Sequence, residues 1–139
     1  MIDARRMEVY SAFYNKNLNN ITIPNSVKII GENAFQSCKP NNITLGSSVE
    51  EICRDAFAYC HTLSLNIPSS LKKLAVYSFN SANITDLFIE DLASWCQVYK
   101  GDTKPQSYLV CVPTLYAQNI YTKNALGEYE IMTSIEVPN

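Results

Sequence analysis

Few groups in this 139-residue chain can do covalent or metal chemistry: five cysteines, one histidine and one Ser-x-x-Lys stretch. Cys38, Cys53, Cys60, Cys96 and Cys111 include no C-x-x-C pair, the local spacing from which zinc sites are normally built, so no metal is expected. His61 directly follows Cys60, but neighbouring side chains in extended or turn backbone point apart, and no acid is placed to orient the ring. Ser69-Ser70-Leu71-Lys72-Lys73 contains the S-x-x-K spacing that in some hydrolases supplies a nucleophile and its base, but it has no partner motif. Asn-Ile-Thr occurs at Asn20, Asn42 and Asn83, each formally an acceptor for an N-linked glycan if the host glycosylates secreted proteins. The expectation is a chain with no catalytic residues, no cofactor and no metal, hence not an enzyme.

The elements that hold these residues explain most of them. Phe13, Phe35, Phe57 and Phe79 stand at a constant spacing of 22 residues. Eight residues after each Phe come Ile21, Ile43, Leu65 and Leu87; ten after, Ile23, Leu45, Ile67 and Ile89. Fourteen after are Val27, Val49, Leu71 and Ala93, and seventeen after are Ile30, Ile52, Leu74 and Cys96. A small residue precedes each Phe: Ala12, Ala34, Ala56 and Ser78. A repeat of this length is one turn of a solenoid, unable to bury its apolar face until neighbours stack on it. The Ser-x-x-K serines share their offset with Asn25-Ser26 and Ser47-Ser48, so they read as turn residues. His61 fills the polar slot held elsewhere by Asn17, Lys39 and Asn83, which predicts a solvated loop histidine. Cys38 and Cys60 share a column, about one strand spacing apart and within the range of roughly 4.4–6.8 Å that a disulfide spans. The same column suits small buried core residues, and Ala82 continues it; buried reduced thiols are the preferred reading.

Each coil reads as a short strand, a turn, a second extended or helical-turn stretch, and a corner holding Ala-Phe. Apolar residues two apart with a polar one between them mark a strand with one buried face. Pro24-Asn25-Ser26, Gly46-Ser47-Ser48 and Pro68-Ser69-Ser70 supply the turns. Alternation then turns Asn20, Asn42, Ser64 and Asp86, and beside them Thr22, Thr44, Asn66 and Phe88, away from the core as a contiguous strip. These eight residues are the candidate ligand-binding positions, since solenoid sheets commonly serve as extended binding surfaces. The strip is short-chained and polar, with one exposed aromatic at Phe88, so a plain solvated sheet face stands as the competing reading.

The stretch Ile21-Thr22-Ile23-Pro24-Asn25-Ser26-Val27, followed by Ile30-Gly31-Glu32-Asn33-Ala34-Phe35-Gln36-Ser37-Cys38, resembles the repeat of BspA-like leucine-rich repeat proteins. The second copy keeps Ile52, Ala56, Phe57 and Cys60; the third keeps Ile67-Pro68-Ser69-Ser70-Leu71 with Ser78-Phe79 for Ala-Phe. The resemblance covers residues 8–92 and touches Ile135-Glu136-Val137-Pro138-Asn139, which is similar to the start of a further repeat. It implies a right-handed solenoid with parallel strands on one face, used in surface adhesion and in binding proteins or glycans, at the cell surface or secreted.

The pattern breaks after residue 90. Leu92, Trp95, Cys96 and Tyr99 fall on one helical face, with Asp91 as N-cap and Lys100-Gly101 as a cationic, glycine-ended C-terminus, which predicts a capping helix at 91–99. Trp95 as a ligand platform is the lesser reading. Beyond a polar loop, 109–112, 115–121 and 128–132 read as strands, with Asn124-Ala125-Leu126-Gly127 as a hairpin loop. The expected fold is therefore a β-dominated leucine-rich-repeat-like β/α superhelix: four repeats over 1–90, then a variant capping coil and hairpin over 91–139, with 135–139 opening another repeat. A net charge of −2 gives no basic face for nucleic acid, and no apolar run is long enough to span a membrane. Met1-Ile2-Asp3-Ala4-Arg5-Arg6-Met7 is not a signal peptide, so the chain reads as an excerpt of a longer surface protein or as a member that stays inside. An open coil end also makes end-to-end self-association an expectation. The two functional readings are a non-catalytic interaction module and a structural spacer whose binding site lies elsewhere.

Overall fold

The computed structural model describes residues 19–100 and 117–132, with backbone alone at 2–3, 8–9 and 99–100. In chain order the elements are β1 (Ile2–Asp3), β2 (Glu8–Val9), β3 (Asn20–Thr22), β4 (Ile29–Ile30), β5 (Asn42–Thr44), β6 (Glu51–Ile52) and β7 (His61–Ile67). They continue with β8 (Lys73–Leu74), β9 (Asn83–Ile89), α1 (Leu92–Gln97), β10 (Tyr99–Lys100), β11 (Ala117–Lys123) and β12 (Tyr129–Ile131). The strands form a front sheet, β12-β11-β9-β7-β5-β3, and a back sheet, β1-β2-β4-β6-β8-β10. Within each, the strands of successive coils pair in parallel; among the described residues only β1 on β2 and β12 on β11 are antiparallel.

The result is a β-solenoid whose register repeats the columns. Ile21 lies beside Ile43, Ile43 beside Leu65 and Leu65 beside Leu87. These residues, with Ile23, Leu45, Ile67, Ile89, Val27, Val49, Leu71, Ile30, Ile52 and Leu74, are all buried in one core. The second stretch of each coil, extended or helical by its sequence, is extended and builds the back sheet. Two consecutive amides enter it on one carbonyl: Glu50 and Glu51 N–H both donate to the Lys28 carbonyl (2.8 and 3.1 Å), as Lys72 and Lys73 do to Glu50 (2.8 and 3.0 Å).

The Ala-Phe corner is a third stacked side. Asn33, Asp55 and Tyr77, and Ser37, Tyr59 and Ser81, hold left-handed backbone with φ of 53–65°, two such residues per corner. This wraps the chain around the Phe, whose own amide joins the stack: Phe35 N–H donates to the Ala56 carbonyl and Phe57 N–H to Ser78, both at 2.7 Å. The rings follow, Phe35 on Phe57 at 5.3 Å and Phe57 on Phe79 at 5.1 Å between centroids, nearly parallel. Such contacts add about 0.5–1.5 kcal/mol each beyond burial. Gly46 is required by close approach: a Cβ there would lie 2.4 Å from the Pro24 carbonyl oxygen of the preceding coil.

Asp91 caps α1, its carboxylate accepting from Ser94 N–H at 3.1 Å, and Trp95 and Val98 bury against the last coil. The helix is shorter than its apolar face suggested. It ends at Gln97, with Val98 in extended backbone as C-cap, because Tyr99 and Lys100 pair with Lys73 and Leu74 as a back-sheet strand. Ala93 and Cys96, which continue two apolar columns by count, sit in this helix, exposed and half-buried respectively. The hairpin of β11 and β12 turns at residues 124–128, where the Asn124 side chain accepts from Leu126 N–H and Glu128 N–H. Phe13, Ala12, the strand expected at 109–112 and the repeat start at 135–139 lie outside the described residues.

Candidate functional site

The S-x-x-K residues, the described cysteines and His61 are absorbed by the stack. Ser70 Oγ donates to the Val49 carbonyl at 2.7 Å, while Lys72 and Lys73 pair with Glu50 (3.0 Å) and Glu51 (2.8 Å) of the preceding coil. The S-x-x-K residues thus tie neighbouring coils together. Lys72 donates to Glu50 and, with Lys28 nearby, holds its carboxyl below the usual range. Cys38 and Cys60 are buried, and Cys38, Cys53, Cys60 and Cys96 stand as thiols rather than disulfides. Burial, with a smaller effect from Cys38, pushes the Cys60 thiol up to about 12, far from a reactive thiolate. His61 is exposed as predicted, but it opens β7, beside Asn83, rather than sitting in a loop. Among the described residues no His, Cys, Asp and Glu group has the makings of a metal site.

The eight strip residues do lie on the outer side of the front sheet, but they are not equivalent. In the first column Asn42 Nδ2 donates to Asn20 Oδ1 at 2.8 Å, and Ser64 Oγ donates to Asn42 Oδ1 at 2.7 Å. These side chains hydrogen-bond along the stack, as strand-to-strand polar ladders do. In the second column Thr22 and Thr44 are exposed, whereas Asn66 turns onto the main chain. Its Oδ1 accepts from Leu45 N–H at 2.6 Å and its Nδ2 donates to the Leu45 carbonyl at 3.1 Å, finishing the pairing of β5 with β7. Asn66 is therefore a strand-closing residue first.

At the other end the strip changes character. β11 adds beside β9 with Asn119 next to Asp86 and Tyr121 next to Phe88. Asn119 Nδ2 donates to Asp86 Oδ1 at 2.8 Å, extending the polar column. Tyr121 stacks on Phe88 at 4.8 Å, and Tyr129 from β12 meets Phe88 edge-on at 5.2 Å. Lys123 Nζ sits 5.3 Å from the centre of the Tyr129 ring and 3.9 Å from Glu90 Oε1. Glu90 in turn accepts from Ser69 N–H at 2.8 Å. Ile131, half exposed, lies opposite Tyr121. Three aromatic rings and an aliphatic side chain thus gather on one face, edged by Asp86, Glu90, Lys123 and Asn119.

Phe88 was the one aromatic that alternation found there. Tyr121, Tyr129, Lys123 and Asn119 were missed because Asn119 follows Asp86 by 33 residues, not 22, so counting columns never brings β11 alongside β9. The signal available was the alternation of Asn119 and Tyr121 within the strand expected at 115–121, continued two residues on by Lys123, which shows a shared face without its neighbour.

Stacked parallel strands, a continuous apolar column core and a stacked aromatic corner define a β-solenoid repeat scaffold. Residues 9–97 match the family described as BspA type leucine rich repeat region, in six copies, and the chain belongs to that family. No curated protein and no solved structure matches the chain.

Proposed function

We propose that this chain is a non-catalytic interaction module that binds a protein or glycan through the β9–β11–β12 end of its front sheet. The observation that carries this is the convergence of Phe88, Tyr121 and Tyr129 from three strands onto one outer face. Apolar, aromatic-rich centres with a polar edge are the composition of contact hot spots. The rings are preordered by the sheet, so binding loses little conformational freedom there. Membership of a family whose members are commonly surface-exposed or exported interaction scaffolds supports the reading. Among the described residues no helix is long and apolar enough to cross a membrane.

The polar end of the strip carries the second reading, a structural spacer. Asn20, Asn42, Ser64 and Asn66 satisfy one another or the backbone. Alanine substitution at Thr22, Thr44 and Asn66, compared with Phe88, Tyr121 and Tyr129, separates the two ends. Loss of partner binding in the aromatic set alone supports the contact surface. Unchanged affinity in the aromatic set overturns it.

A further inference from the structure

Resting on the reading of the aromatic cluster as a contact surface, the ligand chemistry can be narrowed. Asp86 and Phe88 on β9, and Glu90 just past its end, stand at alternate positions, so two carboxylates bracket a ring that stacks with a second and meets a third edge-on. The chain already places a cation in this setting: Lys123, over the Tyr129 ring and at ion-pair distance from Glu90. Both attachments are weak and solvent-facing, with side chains 35% (Lys123) and 41% (Glu90) exposed, and such pairs exchange readily. We propose that the cluster takes a basic segment of a partner protein, with Lys123 occupying the partner cation's place in the unbound chain. Arginine suits it best, since a guanidinium lies flat on a ring while its fork reaches a carboxylate. Apolar side chains of the same segment would pack against Ile131 and Tyr121. A glycan fits less well, because a neutral sugar brings no cation to pair with the Asp86 and Glu90 carboxylates.

The probe is a blocked pentapeptide, Arg-Leu-Arg-Leu-Arg, titrated into the full chain by amide chemical-shift mapping against Glu-Leu-Glu-Leu-Glu. The expected result is shifts at residues 86–90, 119–123 and 129–131, with the arginine peptide bound about tenfold tighter than the acidic one. Lys123→Ala is expected to tighten binding about threefold, and Asp86→Asn or Glu90→Gln to weaken it by a similar factor. Equal binding of the two peptides, no binding of either, or indifference to Lys123→Ala overturns the proposal. If binding is lost in Tyr129→Ala and kept in Tyr129→Phe, yet shows no preference for the basic peptide, the cation inference fails and the contact surface stands. Binding that survives Tyr129→Ala overturns the surface as well.

Discussion

The coils through β9 and the segment after it solve the same problem in opposite ways. In the coils, position in the period decides each side chain's environment: apolar columns go inward, and outer polar groups bond to their counterparts one coil away. Such a surface is largely self-satisfied and has little left to offer a partner. In β11 and β12 the period is gone, and beside Asn119 the side chains that face outward include Tyr121, Lys123, Tyr129 and Ile131, mostly large and partly apolar. Regularity builds the scaffold; departure from it builds the surface proposed as the contact face.

That contrast can be broken most forcefully at the corner. Phe57 is fully buried between two stacked rings, so Phe57→Ala is expected to destabilise by about 3–5 kcal/mol in chemical denaturation, while Tyr129→Ala, on the exposed face, should change stability by less than about 1 kcal/mol. Comparable losses from both would mean the hairpin is as integral to the stack as the coils. Gly46→Ala comes next. With a carbonyl oxygen 2.4 Å from the added carbon, the adjoining coils must separate, and a loss of about 1–3 kcal/mol is expected in the same denaturation measurement.

A smaller effect has the opposite sign. Ser78 is fully buried, its hydroxyl has no hydrogen-bond partner, and the equivalent residues are Ala34 and Ala56. Ser78→Ala should raise stability by about 1 kcal/mol, and a loss of stability would show that the hydroxyl is satisfied after all. The last effect concerns pH and is nil at neutrality. Because burial raises the Cys60 pKa from 9.0 to about 12, its contribution to stability is fully present below pH 9 and is lost as pH rises towards 12. Thermal midpoints measured from pH 8 to 11 should therefore fall less steeply for Cys60→Ala than for the parent chain.

Much of the fold was legible because a solenoid writes its contacts as a constant offset. Ile43 next to Leu65, Phe35 on Phe57 and Cys38 in column with Cys60 all follow from one number. The outer strip was legible for the same reason, since alternation within a strand needs no knowledge of its neighbours. The end of α1 was not: Tyr99 continues a helical face by spacing, yet an available strand edge at Lys73–Leu74 claims it. Nor was the function of Asn66, whose polarity suggests an open outer position while its amide closes on Leu45.

By itself, then, the amino-acid sequence determined the period, the buried columns, the turn positions and the family, since each is a local or constant-offset property of the chain. Only the tertiary structure decided that the second stretch of each coil is a sheet and that the corner stacks through its own amides. Tertiary structure also brought Tyr121 and Tyr129 to Phe88. Those outcomes depend on which strand lies beside which once the offset fails, and hydrogen bonding between segments distant in the chain leaves no fixed spacing to count.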